Sequence, residues 1–138
     1  MAALVDTSAW FASRRTAETR RQFEELLRNG DVATCDVVKL ELLYTARTGN
    51  ELSARRSELD LLTPSSNGPR EWRRAIDVYE ILAHEGGLHH RRVTHPDLLI
   101  AAAAESAGMT VLHYDADFDV IAEITGQPMR WIAPRGSL

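Results

Sequence analysis

The strongest constraint on the fold of this chain is the alternation of short apolar runs with longer amphipathic stretches. Apolar runs typical of buried strands occupy residues 2–5, 32–35, 110–114 and 129–132, and helical patterns fill most of the intervals. Strands joined by helical crossovers form a parallel sheet with helices on both faces. The sequence therefore predicts an α/β fold. We expect a three-layer α/β/α sandwich with a central parallel sheet, spanning residues 1–138 as a single domain.

Capping and turn residues predict where the helices begin and end. Thr16 and Gly30 bracket the first predicted helix, and Asp36 is predicted to cap a second that ends near Gly49. Pro69 and Pro96 suit the first turns of two later helices. Residues 63–69, "TPSSNGP", are predicted to be a turn-rich break, and residues 86–92, "GGLHHRR", a loop.

Several classes of protein are disfavoured by the composition. No apolar run approaches the roughly 20 residues of a membrane helix, and the N-terminus lacks the features of a signal peptide. Cys35 is the only cysteine, which excludes an intramolecular disulfide framework and a cysteine-based zinc site. We therefore expect a cytoplasmic protein with no membrane partner.

The charge pattern permits two interpretations. The net charge of -4 argues mildly against a general nucleic-acid coat. Lys39 is the only lysine among 16 basic residues, and many of the arginines come in pairs, such as Arg91 and Arg92. These pairs are either solvated helix faces or sites of phosphate recognition, because a guanidinium group matches phosphate oxygens in bidentate fashion.

Two acidic residues follow predicted strands directly. Asp6 comes after the first apolar run, and Asp115 comes after "TVLHY". In open α/β sheets, ligands bind beyond the carboxyl ends of the strands, so we expect both residues at one edge of the sheet. The spacing of Asp115, Asp117 and Asp119 also resembles a calcium-binding loop. That interpretation fails because Val120 and Gly126 stand where such a loop needs glycine and glutamate.

Two further acids fall on apolar helical stripes. Glu41 shares a predicted helix face with apolar neighbours at helical spacing: Val37, Leu40 and Tyr44. An ionised glutamate buried there without a partner would cost several kcal/mol. Asp97 shares a stripe with Ile100, Ala101 and Ala104, although compensation of the helix dipole would explain it equally well.

Four converging carboxylates predict a metal site. Clustered acids raise one another's pKa unless a cation lies between them, and the hard divalent ions Mg²⁺ and Mn²⁺ prefer oxygen ligands. Such a site activates water for phosphoryl displacement. The spacing thus favours metal-dependent phosphoester chemistry over a purely structural role.

Four segments, in order along the chain, resemble the PIN-domain ribonucleases, specifically the VapC toxins of type II toxin–antitoxin pairs. They are "LVDTSAW", "ELLYTAR", "HPDLLIAAAA" and "VLHYDADFDVIA". The resemblance implies that Asp6, Glu41, Asp97 and Asp115 are the catalytic quartet. It implies metal ligation by Asp6, Asp97, Asp115 and Asp117, and support of the site by Ser8 or Thr7.

The resemblance also implies an activity and partners. We expect a Mg²⁺-dependent endoribonuclease, with Mn²⁺ as a substitute, acting as a toxin on RNA such as tRNA. Expected partners are a VapB-type antitoxin and a second copy of the chain. The antitoxin is predicted to block the acidic pocket with an arginine and to lie across apolar helix surface formed by Trp10, Phe11, Phe23, Leu26 and Leu27. No family motif covers residues 50–92, so substrate contact by Arg91 and Arg92 is a hypothesis.

Two alternative functions remain open at this point. Phosphatases of the haloacid dehalogenase type also place an aspartate after the first strand. They need a second aspartate two residues later, where this chain has Ser8, and a lysine further on. The other alternative is a non-catalytic module that binds a metal or RNA.

Overall fold

The computed structural model describes residues 1–138 and contains a five-stranded sheet flanked by helices. The strands are β1 Ala3–Val5, β2 Val32–Cys35, β3 Thr63–Ser65, β4 Val111–His113 and β5 Met129–Trp131. The helices are α1 Thr7–Ala12, α2 Ala17–Arg28, α3 Asp36–Leu43, α4 Gly49–Leu59, α5 Pro69–His84, α6 His95–Ala107 and α7 Asp117–Thr125. A short 3₁₀ helix spans His89–Arg92. None of the helices combines the length and apolar character needed to cross a membrane.

The strand order places the ends of β1 and β4 side by side. The order is β3-β2-β1-β4-β5, and every pairing is parallel. β1 pairs with β2 through Leu4 and Ala33, and with β4 through Leu4 and Val111. The order changes direction between β1 and β4, which is where open α/β sheets form a crevice for ligands. The predicted α/β fold class with a parallel sheet is confirmed.

Two apolar cores cover the two faces of the sheet, as the alternation of side chains along a strand requires. Leu4 points into the larger core, which also contains residues of α3 to α7. Ala3 and Val5 point into the smaller core with Phe23 and residues of α1. In the larger core α6 is buried from Asp97 to Ala104, and its alanines allow a close approach to the sheet and α5.

The structure corrects four local predictions. α1 was not predicted, because it begins immediately after β1 and is only six residues long. The turn-rich break contains β3, whose Pro64 is tolerated because β3 is an edge strand. The helix predicted to end near Gly49 ends at Leu43, and Thr48 caps a new helix. Cys35, rather than Asp36, occupies the N-cap of α3, and Asp36 is its first helical residue.

Candidate active site

Asp6 joins the end of β1 to the start of α1 and is held by Ser8. Its Oδ2 accepts hydrogen bonds from the Ser8 amide at 2.9 Å and from the Ser8 hydroxyl at 2.5 Å. The same hydroxyl accepts a hydrogen bond from the Tyr114 amide at 2.9 Å, so Ser8 links the ends of β1 and β4. Asp6 is only 3% exposed, and this burial raises its pKa to about 6 although the hydrogen bonds from Ser8 lower it.

Asp97 lies in the first turn of α6, whose N-cap is Thr94. The Thr94 hydroxyl accepts a hydrogen bond from the Asp97 amide at 3.4 Å. Asp97 is 8% exposed, and burial raises its pKa to about 8, with further contributions from the negative charges of Asp6 and Asp115. A carboxyl with this pKa holds a proton at neutral pH unless a cation lies beside it.

Asp115 and Asp117 lie on the turn between β4 and α7. The Asp117 amide donates a hydrogen bond to Asp115 Oδ1 at 2.9 Å, which orients the Asp115 carboxylate. Asp97, Asp115 and Asp117 each offer a carboxylate oxygen, and these oxygens lie within 4.8 Å of one another. Burial raises the pKa of Asp117, and the charge of Asp115 adds to this shift. Asp6 and Glu41 lie outside this three-carboxylate group.

Glu41 lies at the rim of the site, and the prediction that its helix face is a buried apolar stripe is wrong. Leu40 and Tyr44 on that face are 70% and 89% exposed. Val38 and Leu42 supply the buried face of α3. Glu41 Oε1 accepts a hydrogen bond from the Thr7 hydroxyl at 2.8 Å, and the charge of Glu41 helps raise the pKa of Asp6.

None of the acids at this edge of the sheet has a basic partner. The ion pairs of the chain, defined by nitrogen–oxygen distances up to 4.0 Å, involve other residues. The unpaired set comprises Asp6, Glu41, Asp97, Asp115 and Asp117. An uncompensated group of carboxylate oxygens is the donor set that a hard divalent cation prefers. The residues present therefore fit a Mg²⁺ or Mn²⁺ site.

The two arginines proposed as substrate contacts lie close to the site without pairing with it. Arg91 and Arg92 end the 3₁₀ helix and are exposed. The positive charge of Arg92 lowers the pKa of Asp117, although burial and Asp115 raise it more strongly. Arg92 is thus near enough to influence the acidic cluster, whereas no contact links Arg91 to it.

Sequence reasoning missed two residues that support the site. The first is Thr94, the N-cap of α6. Its spacing from Asp97 matches the Ser/Thr-x-x-Asp/Glu signature of a helix start and could have revealed this role. His113 is a polar residue in the apolar run before Asp115, and its Nδ1 accepts a hydrogen bond from the Asp115 amide at 3.2 Å. Burial lowers the pKa of His113.

Comparison with known proteins identifies the family. A family model described as "PIN domain" matches residues 3–124. Ribonuclease VapC18 of Mycobacterium tuberculosis is 46% identical over 134 residues, which cover 97% of this chain and 97% of the relative. The chain belongs to the VapC ribonucleases of the PIN-domain family.

Solved structures agree with the PIN-domain assignment. VapBC-5 from Mycobacterium tuberculosis, a member of the VapBC family of toxin-antitoxin systems, matches with a TM-score of 0.60 and 26% identity, over 94% of this chain and 98% of the other. DNA-bound VapBC from Salmonella typhimurium shares the fold, with a TM-score of 0.72 and 19% identity, over 96% of this chain and 100% of the other.

The bridging role of Ser8 in this PIN domain leads to a first prediction. We expect Ser8→Ala to raise the pKa of Asp6 above about 6, because its side-chain hydrogen bond lowers that pKa. The variant should also lose about 1–3 kcal/mol of unfolding free energy, since the Tyr114 amide loses its acceptor. NMR titration of Asp6 and urea denaturation measure the two effects.

A matched control for Ser8→Ala is available at the end of the same helix. The Ser13 hydroxyl donates a hydrogen bond to the Trp10 carbonyl at 2.6 Å. Ser13→Ala should reduce stability without changing the titration of Asp6. An unchanged Asp6 pKa in Ser8→Ala would contradict the assigned role of Ser8.

Proposed function

We propose that this protein is the toxin of a type II toxin–antitoxin pair and a metal-dependent endoribonuclease that hydrolyses RNA phosphodiester bonds. The observation that carries the proposal is the three-carboxylate group of Asp97, Asp115 and Asp117, whose oxygens lie within 4.8 Å of one another without a basic partner. Membership of the VapC ribonucleases supports RNA as the substrate class.

The acidic residues divide into those that would hold a cation and those that support them. Asp97, Asp115 and Asp117 would bind Mg²⁺, with Mn²⁺ as a substitute. Asp6, whose charge raises the pKa of Asp97, would be a further ligand. When bound, the ion would activate water and neutralise charge on the phosphate. Glu41 borders the opening of the site, where Thr7 orients its carboxylate. We propose Asp6, Glu41, Asp97 and Asp115 as the catalytic quartet.

The arrangement also controls protons. Without a cation, Asp97 holds a proton at neutral pH because its pKa is about 8. Occupation of the site by a cation requires that proton to leave. Ser8 keeps Asp6 oriented and lowers its pKa, which favours the ionised form as a ligand.

Metal dependence is the decisive test of this proposal. We expect the purified protein to cleave RNA in millimolar Mg²⁺ or Mn²⁺, to leave 5′-phosphate and 3′-hydroxyl ends, and to stop in excess EDTA. The same cations should raise Tm, because a ligand that binds only the native state stabilises it. Gel assays, sequencing of RNA 5′ ends and thermal melts measure these effects.

Two outcomes of this test would contradict the proposal. Cleavage that continues at the same rate in excess EDTA would exclude a metal-dependent reaction. RNA binding without turnover in either Mg²⁺ or Mn²⁺ would favour a non-catalytic RNA-binding module.

Glu41→Gln should raise Tm in the absence of metal, because it removes one of the mutually repelling charges near Asp6.

The structure disfavours the phosphatase alternative. Lys39, the only lysine, donates a hydrogen bond to Asp60 at 2.9 Å. Ser8 occupies the position where such a phosphatase needs its second aspartate, and it holds Asp6 through a hydrogen bond. This chain therefore lacks the second aspartate of that class, and its only lysine is paired with Asp60.

We propose a VapB-type antitoxin as the partner. A groove of about 240 Å³ between α1–α2 and α3–α4 is lined by Trp10, Phe11 and Leu27, three of the residues predicted for this contact. Phe23 does not contribute to this surface, because it is buried and packs edge-on against Trp10 with ring centroids 4.7 Å apart. An arginine of the partner entering the acidic site would neutralise it through bidentate contacts.

We also propose a homodimer and a cytoplasmic location, where the RNA substrate is found. Trp72 and Ile76 on α5 are 52% and 60% exposed and supply apolar surface for self-association.

Structured RNA such as tRNA is the proposed target. Arg92, whose charge reaches Asp117, is a better candidate than Arg91 for a phosphate contact.

A further inference from the structure

His113 ends β4 immediately before the turn that carries Asp115 and Asp117. The side chain is fully buried. Its ring packs against Phe118 of α7 and Trp131 of β5, with centroid distances of 5.1 Å and 4.9 Å. A histidine enclosed by aromatic rings next to an acidic cluster requires an explanation beyond filling space, because an apolar residue would fill the same volume without burying polar nitrogens.

Only one of the two ring nitrogens of His113 takes part in a hydrogen bond. Nδ1 accepts a hydrogen bond from the Asp115 amide at 3.2 Å, so the ring proton belongs on Nε2. Nε2 has no hydrogen-bond partner, and Asp119 Oδ1 lies 4.0 Å away. Asp119 in turn accepts hydrogen bonds from Trp131 Nε1 at 3.2 and 3.3 Å. Packing against Phe118 and Trp131 therefore holds the ring with its Nδ1 acceptor facing the backbone of Asp115.

The turn after β4 depends on side-chain acceptors. The amides of Tyr114, Asp115 and Asp117 donate to Ser8 Oγ, His113 Nδ1 and Asp115 Oδ1, respectively. A backbone amide without a hydrogen-bond acceptor is destabilising, so the chain adjusts its conformation to give the amide another acceptor. Removal of the His113 acceptor would therefore release the Asp115 amide and change the direction of the carboxylates at 115 and 117.

We propose that His113 is a positioning residue, which orients Asp115 and Asp117 toward Asp97 through its Nδ1 acceptor without touching the cation or the RNA. This inference rests on the proposed metal-dependent function. It assigns to His113 an effect on cation affinity that its contribution to core packing would not produce.

A pair of amide substitutions separates the acceptor from the rest of the ring. In His113→Asn the side-chain oxygen can occupy the place of Nδ1, whereas in His113→Gln the amide lies near the place of Nε2. We expect His113→Asn to bind Mn²⁺ within about threefold of the unsubstituted protein. His113→Gln should bind about tenfold or more weakly, as is typical when an outer hydrogen bond to a ligand is lost.

Two more variants distinguish positioning from stability. His113→Phe fills the cavity but has no acceptor, so it should also bind Mn²⁺ about tenfold or more weakly. Ile121→Val removes a buried methyl group from α7 and should lower Tm without changing Mn²⁺ affinity. If His113→Phe does not fold, the asparagine and glutamine variants decide the question.

Isothermal titration with MnCl₂ at pH 8 and hydrogen exchange of the metal-free protein provide two independent measurements. The Asp115 amide should exchange slowly in the unsubstituted protein and in His113→Asn, and faster in the other two His113 variants. Equal Mn²⁺ affinities for the asparagine and glutamine variants would overturn the inference. So would a loss of Mn²⁺ affinity in Ile121→Val as large as that of a His113 variant with a similar Tm. No Mn²⁺ binding by the unsubstituted protein would instead overturn the proposed metal site, and this inference with it.

Discussion

Asp97→Asn is expected to lower the rate of RNA cleavage by about a thousandfold or more and to raise Tm of the metal-free protein. A thousandfold loss corresponds to about 4 kcal/mol of transition-state stabilisation. The loss follows because Asp97 supplies one of the three clustered carboxylates. The gain in stability follows because burial and the charges of Asp6 and Asp115 raise the pKa of Asp97 to about 8, so that folding at neutral pH requires this carboxyl to take up a proton. An amide is neutral without a proton and avoids this cost.

Asp119→Asn is a suitable control for Asp97→Asn. Asp119 lies on α7 outside the three-carboxylate group, and an asparagine there can still accept the Trp131 hydrogen bond. Its RNA cleavage should remain within about threefold of the unsubstituted protein, well short of the loss for a group that acts in the transition state. Cleavage by Asp97→Asn at an unchanged rate would remove Asp97 from the proposed quartet. A lower Tm for the metal-free variant would show that a protein cation compensates Asp97.

The stability of the metal-free protein is expected to fall as pH rises from 6.5 to 8.5. The pKa of Asp97 is about 8 in the folded protein against 3.8 as its ordinary value, so the folded state binds more protons than the unfolded state across this range. Stability falls with pH wherever the folded state holds the extra proton. One such proton changes the unfolding free energy by about 1.4 kcal/mol per pH unit, or roughly 4 °C in Tm for a domain of this size.

Other shifted groups act mainly outside this pH range. The pKa of Asp6 is raised from 3.8 to about 6, so this group changes the pH dependence of stability mainly below pH 6.5. The pKa of His113 is lowered from its ordinary value of 6.5, so this group makes the protein more stable as pH rises, mainly below pH 6.5. Burial raises the pKa of Cys35 from 9.0 to about 11, so this thiol affects stability only at higher pH. The slope between pH 6.5 and 8.5 should therefore come mainly from Asp97.

Thermal melts in EDTA at several pH values measure this slope. The Asp97→Asn variant should show a nearly flat profile over the same range. Saturating Mg²⁺ should raise Tm most at the alkaline end, because the cation competes with the proton for the same carboxylates. A Tm that rises with pH in the metal-free protein would contradict the protonation assigned to Asp97.

Sequence patterns predicted the positions of the acids better than their environments. The ends of two strands predicted that Asp6 and Asp115 meet at one edge of the sheet, and the parallel pairing of β1 with β4 places them there. The stripe of Asp97 is buried as predicted. The stripe of Glu41 is not, because α3 rests on the core through Val38 and Leu42 and leaves Leu40 and Tyr44 in solvent.

The sequence by itself determined the layered α/β architecture and the edge of the sheet at which the acids collect. Hydrophobic periodicity and the handedness of strand connections depend on local pattern, which the sequence carries directly. Only the tertiary structure decided that burial raises the pKa of Asp97 to about 8, that Glu41 lies at the rim and that His113 accepts a hydrogen bond from the Asp115 amide. Desolvation, Coulomb repulsion and hydrogen bonding depend on distances and burial among residues far apart in the chain, and periodicity does not encode these quantities.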